Sequence, residues 1–407
     1  MYANWKRNIT LFLLSQTISL FGSSLVQYAI MWHITLITQS GVMMTIAIIC
    51  GFLPTFFLSP FAGVWADRYS RKVMIMLSDS MIAAATLILA VLFFIGYDML
   101  WLFFIILAIR ALGAAVQAPA VGAFIPQLVP EEKLTKVNAT NGSIQSLVAL
   151  ISPMLSGALL TVTSIEKIFF IDVVTAAIAV AVLLLFLHVP VHSKASQKQR
   201  LSYHSDLHEG FIYIRRHGYV KNFFLYCSLY YFLAVPVALL TPLHVTRSFG
   251  PDVWRLTALE VVFSIGMMLG GIIMAAWGGF KNKVHSMILS IFIVGACTFV
   301  LGFIPNFWVF VGIMGVAGIA LPIFSTPSTV LLQEKVETDF LGRVFSILVM
   351  ISNTVMPLGI LLFGPLADVV PVTWLLIATG PLIVVVGFFL AGNKVLIEAG
   401  RAGTIPA

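Results

Sequence analysis

Apolar stretches long enough to cross a lipid bilayer follow one another along nearly the whole chain. A helix needs about 20 mostly apolar residues to span the hydrocarbon core. Breaking the sequence at charges and at Gly, Pro and Asn clusters leaves twelve such stretches, near residues 9–36, 42–65, 73–96, 100–126, 137–163, 167–189, 219–246, 254–278, 284–304, 307–331, 341–366 and 372–392. The sequence therefore predicts an all-α membrane protein with twelve transmembrane helices.

Composition excludes a soluble globular protein. Of the 407 residues, 60% are hydrophobic and 10% are charged, whereas soluble domains carry roughly 25% charged residues. The first apolar run is too long for the apolar core of a signal peptide, so we expect it to remain as the first span. Cys50, Cys227 and Cys297 each lie in an apolar run without metal-ligand spacing, which favours small buried side chains.

The distribution of basic residues predicts the orientation of the spans. With the N-terminus inside, nineteen of the 23 Lys and Arg residues fall on cytoplasmic segments. Lys167, Arg247 and Arg255 fall outside, and Arg110 lies within a span. The positive-inside rule then places both termini in the cytoplasm. Topology accounts for the net charge of +7 without a nucleic-acid partner, and we expect a monomer in the cell (plasma) membrane.

The longest polar segment, roughly 190–218, divides the spans six and six. This predicts an N-terminal bundle at 1–190, a cytoplasmic linker at 191–218 and a C-terminal bundle with a short tail at 219–407. Within the linker, Tyr203, Leu207, Phe211 and Ile214 recur at helical spacing. That pattern is typical of an amphipathic helix on the inner membrane surface, and it is compatible with a simple tether.

The two halves also repeat each other weakly. GVWADRYSRKV at 63–73 aligns with AAWGGFKNKVH at 275–285, and VPEEKL at 129–134 aligns with VETDFL at 336–341. Matched motifs half a chain apart predict two pseudo-symmetric six-helix bundles. A substrate path between the halves and alternating access by rocking would follow from that arrangement.

Four ionisable residues fall within predicted spans, where a charge is costly and marks a functional candidate. They are Asp79, Arg110, Asp172 and Glu260, and we interpret all four as candidates for proton coupling. Arg110 could instead form a structural pair with a carboxylate, and Asp79 could belong to the cytoplasmic charge cluster. Asp172 and Glu260 lie toward the outer ends of their helices, where extracellular protons could reach them or where they could be ordinary interface residues.

The stretch GVWADRYSRK at 63–72 occupies the cytoplasmic joint between spans 2 and 3. It resembles the motif G-x-L-a-D-r-x-G-r-k of the major facilitator superfamily through Gly63, Asp67, Arg68, Arg71 and Lys72, and differs at Trp65 and Ser70. The resemblance implies a conformational latch in which Asp67 faces the N-terminal end of span 11, near Gly342 and Arg343. Such a latch would hold the outward-facing state.

Further stretches resemble the macrolide-efflux branch of the drug:proton antiporters in that superfamily. They include Gln16, Ser19, Ser23 and Gln27 in span 1, IRALGAAVQAPA at 109–120, VPEEKLTKVNATNGSIQS at 129–146 and DLHEGFIYI at 206–214. Arg110 and Gly113 match the antiporter Arg-x-x-Gly, although SPMLSG at 152–157 has serines in place of two family glycines. The resemblance implies proton-coupled efflux of an amphiphilic drug such as a macrolide, with Arg110 in proton transfer.

In this fold, spans 1, 4, 7 and 10 line the substrate cavity. The resemblance therefore offers as cavity candidates Gln27, Gln117, Tyr226, Tyr230, Tyr231 and Phe324. Apolar and aromatic walls with a few polar groups suit large amphiphilic or cationic molecules. Each of these residues could equally be an ordinary packing residue.

Other functions remain open from the sequence. The exported compound could be an endogenous amphiphile such as a siderophore, and a membrane sensor or enzyme on the same fold is less favoured. An enzyme would need reactive groups converging at one depth, whereas the four intramembrane charges lie on four helices. The sequence lacks a phosphate-binding loop, an H-E-x-x-H pair and a Cys/His cluster, so we expect no cofactor and no metal.

Overall fold

The computed structural model describes residues 4–187 and 212–401. Within these ranges the chain consists of helices and short connections, without strands. Two compact units form, one from Met1–Ile37 with Ile46–Arg200 and the other from Thr38–Thr45 with Leu201–Ala407. Most of the predicted linker, including Tyr203, Leu207 and Phe211, lies outside the described residues, while 212–216 is helical.

Six long helices form the first unit, and their ends coincide with breaks in the apolar pattern. They are α1 (Trp5–Thr38), α2 (Gly41–Arg68), α3 (Arg71–Phe94), α4 (Leu100–Leu128), α5 (Leu134–Val162) and α6 (Ile165–Phe186). Thr38 and the start of α2 as far as Thr45 are the exception, since they belong to the second unit. Helix α1 ends before Gln39, which adopts a positive φ of 47°. Helices α4 and α5 contain internal prolines, at Pro119, Pro126 and Pro153, which each remove one backbone hydrogen bond.

After the helical residues 212–216, the second unit contains three short helices, α7 (Gly218–Leu233), α8 (Val235–Leu239) and α9 (Thr241–Phe249). They are followed by α10 (Val253–Trp277), α11 (Lys283–Leu301), α12 (Phe307–Lys335), α13 (Thr338–Val369), α14 (Val372–Gly392) and α15 (Lys394–Ala399). Side-chain caps fix two of the starts, because Asn282 accepts from the Val284 N–H and Asn306 accepts from the Trp308 N–H. Gly278 ends α10 in the left-handed conformation at φ 73°.

The seventh predicted span, 219–246, is broken rather than continuous. The breaks fall at Ala234 and Leu240, and prolines stand at the second position of each following helix, Pro236 in α8 and Pro242 in α9. Proline lacks the N–H that would bond to the carbonyl four residues earlier, and its ring crowds that carbonyl. The carbonyls of Phe232 and Ala238 therefore lose their usual helical donors.

Ten helices among the described residues are long and apolar enough to cross a membrane. One predicted span differs from a continuous helix, since the seventh is broken at Ala234 and Leu240. The eleventh corresponds to the continuous helix α13. The described residues thus form an all-α structure whose long helices could each cross a membrane, as the sequence predicts.

Each unit has its own core. In the first, Phe12 of α1 meets Phe124 of α4 edge-on at 5.1 Å between ring centroids. In the second, Tyr230 of α7 packs on Phe324 of α12 at 4.7 Å. The repeated motifs occupy equivalent places, since Val129 caps α4 and Val336 caps α12, both proline-containing helices. Cys227 and Cys297 are buried, Cys50 is half-buried, and all three are free thiols.

Candidate functional site

A buried ion pair joins α4 and α6 in the first unit. Arg110 and Asp172 are 5% and 0% exposed, and Arg110 Nη1 donates to Asp172 Oδ2. Arg110 lies ten residues into α4, about 15 Å from its start at 1.5 Å per residue. A charge pair at that depth in an apolar helix is costly to desolvate and persists only when its hydrogen bonds are well satisfied.

Two hydroxyl residues complete the coordination of this pair. Thr86 of α3 donates to Asp172 Oδ2 at 2.8 Å, and Ser23 of α1 donates to Asp172 Oδ1 at 2.9 Å. Arg110 Nη2 in turn donates to the Ser23 carbonyl at 2.9 Å. Both oxygens of Asp172 thus accept hydrogen bonds, and four helices converge on one charged centre.

A second carboxylate, Asp79 of α3, is held differently. It is 1% exposed, and its Oδ1 accepts from Ser19 at 2.7 Å and from Gln117 at 2.6 Å. Its Oδ2 is buried and has no hydrogen-bond partner among the residues that the structure describes. We call these seven residues the polar cluster: Ser19, Ser23, Asp79, Thr86, Arg110, Gln117 and Asp172.

Close helix contacts position the cluster. A Cβ added to Gly22 of α1 would lie 1.9 Å from Thr175 Oγ1 and 3.2 Å from the Cα of Asp172. A Cβ added to Gly113 of α4 would lie 2.6 Å from the Ile82 side chain of α3. Gly113 is the glycine of the Arg-x-x-Gly pair, so its lack of a side chain lets the helix bearing Arg110 approach the helix bearing Asp79 and Thr86.

The cluster differs from the sequence-based expectations in two respects. Asp172 is fully buried against Arg110 and is not an accessible group at the outer surface. Asp79 bonds to Ser19 and Gln117, not to the cytoplasmic charge cluster. Sequence reasoning missed Thr86, although its spacing seven residues after Asp79 places both on one helix face.

At the joint between α2 and α3, basic side chains bind backbone carbonyls within the first unit. Arg71 Nε donates to the Ala66 carbonyl at 2.9 Å, and its Nη1 donates to the Ala123 carbonyl at 2.8 Å. Lys72 donates to the carbonyl of Leu187 at the end of α6, at 2.8 Å. These bonds tie the ends of α2 and α6 and the inner part of α4 to the start of α3.

The remaining latch residues divide into described and undescribed ones. Gly63 is half-buried, and a Cβ added there would meet no atom within 4 Å. Arg68 is exposed. The Cζ atom of Arg343 lies 5.3 Å from the centroid of the Phe340 ring. The side chains of Asp67 and Gly342 lie outside the described residues. The latch itself therefore stays a prediction.

A cavity of about 330 Å³ lies within the second unit. Its wall includes the broken segment α7–α9 and faces α10, α11, α12 and α13, with Glu260 of α10 and Tyr230 of α7 as its two prominent polar side chains. The remaining polar residue, Thr241, donates to the Val237 carbonyl. Most of the lining is aliphatic or aromatic, so the cavity is apolar with one acidic group.

The other cavity candidates lie in several environments. Tyr230, Tyr231 and Phe324 form an aromatic group in the second unit, with Tyr231 5.6 Å from Tyr230 and 6.1 Å from Phe324 between centroids. Tyr226 donates to the Phe389 carbonyl at 3.4 Å, so it makes a packing contact. In the first unit Gln117 belongs to the polar cluster, and Gln27 is half-buried near Gly51.

Sequence reasoning also missed a group that we call the Asp368 clasp, formed by Ser40, Gly41, Val42, Arg247 and Asp368 of the second unit. Asp368 accepts from the N–H of Gly41 at 2.7 Å and of Val42 at 2.9 Å, and from Ser40 Oγ at 2.7 Å. Arg247 Nη2 donates to Asp368 Oδ1, also at 2.7 Å. The carboxylate thereby caps the start of α2.

Partial burial of Asp368 opposes its ionisation. The hydrogen bonds from Ser40, Val42, Gly41 and Arg247 outweigh that effect, so the pKa of Asp368 is lowered. Asp368 lies two residues beyond the predicted span 341–366.

In residues 4–187 and 212–401, no group of three or more His, Cys, Asp or Glu side chains could hold a metal ion.

Comparison with known proteins gives one consistent family. Residues 12–286 match the Major Facilitator Superfamily. The chain is 31% identical over 385 residues to Macrolide efflux protein A of Streptococcus pyogenes, covering 94% of this chain and 95% of the relative. It is 32% identical over 312 residues to Macrolide efflux protein A of Enterococcus faecalis, covering 76% and 96%.

Among solved structures, a bacterial homolog of the human lysosomal transporter Spinster superposes with a TM-score of 0.72 at 12% identity. The match covers 99% of this chain and 100% of that protein. Such low identity supports the fold alone, and the fold agrees with the two pseudo-symmetric bundles that the sequence predicts. The chain belongs to the Major Facilitator Superfamily and is a membrane transporter similar to its macrolide-efflux proteins.

Proposed function

We propose that this transporter is a secondary active exporter that exchanges protons for an amphiphilic small molecule such as a macrolide, by alternating access. The single observation that carries the coupling is the polar cluster, in which two carboxylates and one guanidinium lie buried in otherwise apolar helices. Ionisable groups inside a membrane are costly and typically serve ion or proton movement. Similarity to the macrolide-efflux proteins supports the substrate.

The cluster suggests separate roles for its carboxylates. Both oxygens of Asp172 accept hydrogen bonds and one faces Arg110, so Asp172 holds the guanidinium in place. Asp79 Oδ2 has no hydrogen-bond partner among the described residues, so it can take a proton without breaking the bonds from Ser19 and Gln117, which reach Oδ1. We therefore assign Asp79 as the proton acceptor and Arg110 with Asp172 as the fixed charge pair beside it.

Asp79 and Arg110 are connected along helices α3 and α4. Asp79 and Thr86 lie on the same face of α3, and Thr86 bonds to both members of the charge pair. Gln117, which binds Asp79, stands seven residues after Arg110 on α4, two turns away. A proton on Asp79 would remove its charge and weaken its bonds from Ser19 and Gln117, and this would loosen the packing of α1 and α4 on α3.

The proposal is tested in proteoliposomes with radiolabelled erythromycin. An imposed pH gradient is expected to drive accumulation by the wild type, and a protonophore is expected to abolish it. Asp79→Asn is expected to abolish gradient-driven accumulation but to retain exchange of labelled for unlabelled erythromycin at equal pH, since exchange requires no net proton release. Asp98→Asn, an exposed site in the same unit, is the matched control and should behave as the wild type.

The outcomes separate the parts of the proposal. Gradient-driven transport by Asp79→Asn at the wild-type rate would exclude Asp79 as the proton acceptor. Erythromycin transport that ignores both the pH gradient and the protonophore would exclude proton coupling. Wild-type protein that transports no macrolide would instead favour an endogenous amphiphile, such as a siderophore, as the exported compound.

We further propose that the protein resides in the cell membrane with both termini cytoplasmic and with the latch at 63–72 on the inner side. The excess of Lys and Arg on the segments assigned to that side supports this orientation. Arg71 and Lys72 hold the joint rigid through backbone carbonyls, which leaves Asp67 and Arg68 of the motif to serve the latch.

A further inference from the structure

The second-unit cavity combines two polar groups that lack partners. Glu260 lines it, and no hydrogen bond or ion pair to the Glu260 carboxylate occurs within the described part of the chain. The Tyr230 hydroxyl is buried without a hydrogen-bond partner there, and Tyr230 is 1% exposed. Buried polar groups are nearly always hydrogen-bonded, so the orphaned Tyr230 hydroxyl, in the same cavity as the half-buried Glu260 carboxylate, indicates a missing ligand.

The character of the wall limits what that ligand can be. Apart from Tyr230, Thr241 and Glu260, the lining residues are aliphatic or aromatic, or are proline or methionine. No Lys, Arg or His lines the cavity. The nearest cation along α10, Arg255, already pairs with Asp252 at 3.2 Å. When ionised, Glu260 is thus the one charged side chain among the described lining residues, and no cation of the lining balances it.

The cavity is large enough for a small organic ligand, and a backbone carbonyl and aromatic rings in its wall could contact one. Ligand pockets usually measure about 300–1,000 Å³, and this cavity of about 330 Å³ lies at the lower end. Pro242 leaves the Ala238 carbonyl without its helical donor, and both residues line the wall. Tyr230 and Phe263 also line it, and the faces of aromatic rings attract cations.

We propose that this cavity binds a lipophilic monocation, with Glu260 as its counter-charge. A compact organic cation fills it completely, and a larger amphiphile inserts its charged end. The inference rests on the proposed function, because it places part of the substrate-binding surface in the second unit. It concerns binding, so it can be tested without transport.

The test uses the purified full-length protein and equilibrium dialysis with radiolabelled tetraphenylphosphonium. Saturable binding is expected for the wild type, and Glu260→Gln is expected to weaken it by at least about tenfold, the effect of removing one member of a desolvated charge pair. Glu132→Gln, the same chemical change at an exposed site, should bind as the wild type. Size-exclusion profiles confirm that each variant is folded.

Two further measurements separate charge from shape. Triphenylphosphine oxide, a neutral aromatic compound, is expected to bind wild type and Glu260→Gln equally. Ala238→Phe, which fills the cavity without changing its charge, is expected to abolish binding of both compounds. Equal tetraphenylphosphonium affinity in wild type and Glu260→Gln, or no saturable binding to the wild type, would overturn the inference.

Failure of this inference differs from failure of the proposed function. If erythromycin is transported but tetraphenylphosphonium does not bind, the substrate lies elsewhere and the cavity assignment is wrong. If tetraphenylphosphonium binds through Glu260 but erythromycin is not transported, the cavity assignment stands and the macrolide is the wrong substrate.

Discussion

At the scale of single residues, Asp172 and Arg110 depend on each other. Asp172→Asn would leave a guanidinium 5% exposed and without its counter-charge. Breaking a buried pair on one side costs about 3–5 kcal/mol, whereas replacing both members with apolar residues is often neutral. We therefore expect Asp172→Asn to lower the apparent Tm of the purified protein by several degrees and the double change Arg110→Leu with Asp172→Leu to restore most of it.

The transport assay then separates structure from coupling in the same variants. The stable double variant is expected to lose pH-driven transport, since it lacks the fixed charge beside Asp79. Wild-type transport by that variant would show that the pair has only a structural role.

A pH-dependent contribution to stability is expected from Asp368 in the Asp368 clasp. Its pKa in the folded protein is lowered, so its stabilisation is fully present above the ordinary carboxyl pKa of about 3.9 and is lost as pH falls through the lower folded value. Asp368→Asn should therefore lower the Tm at pH 7, by the equivalent of about 1 kcal/mol for a lost helix cap.

The difference in Tm between the wild type and Asp368→Asn should shrink as pH falls toward that folded value. Asp98→Asn, with an exposed carboxyl, provides the control. A constant difference in Tm at all pH values would contradict the assignment.

At the scale of helices, two glycines of α4 form a matched pair. A Cβ at Gly113 would lie 2.6 Å from Ile82, whereas a Cβ at Gly122 would meet nothing within 4 Å. Gly113→Ala should destabilise the protein by about 1–3 kcal/mol through overpacking. Gly122→Ala should stabilise it by about 0.5–1 kcal/mol, because alanine loses less entropy in a helix. Thermal unfolding of both variants tests this, and similar Tm shifts would contradict the close contact of α3 and α4.

The helices also show how far sequence could predict this molecule. Hydropathy located the spans because every turn of a membrane helix contacts either lipid or the protein core. The break in the seventh span at Pro236 and Pro242 was not predicted, because the apolar run continues across both prolines. The convergence of Ser23, Thr86, Arg110 and Asp172 could not be predicted, because it depends on how four helices are rotated and packed. The contact of Asp368 with Gly41 joins residues 327 apart in the chain and has no local signature.

At the scale of the whole molecule, orientation is open to a direct test. Asp98→Cys lies in a predicted outer loop and Glu132→Cys in a predicted inner one, and both positions are exposed. A membrane-impermeant maleimide is expected to label the first variant in intact cells and the second only after permeabilisation. The native thiols are buried or half-buried within spans and should give little background, which unmodified protein measures. The reverse pattern would invert the proposed topology.

The break in the seventh span has a consequence for selectivity. A continuous helix resists bending through its ladder of backbone bonds, and Pro236 and Pro242 each remove one bond from that ladder, which lowers the resistance to bending near Ala234 and Leu240. A cavity with such a compliant wall can adjust to ligands of different outline while the charge opposite stays fixed. The protein would then accept compounds of many shapes, provided that each carries a positive charge.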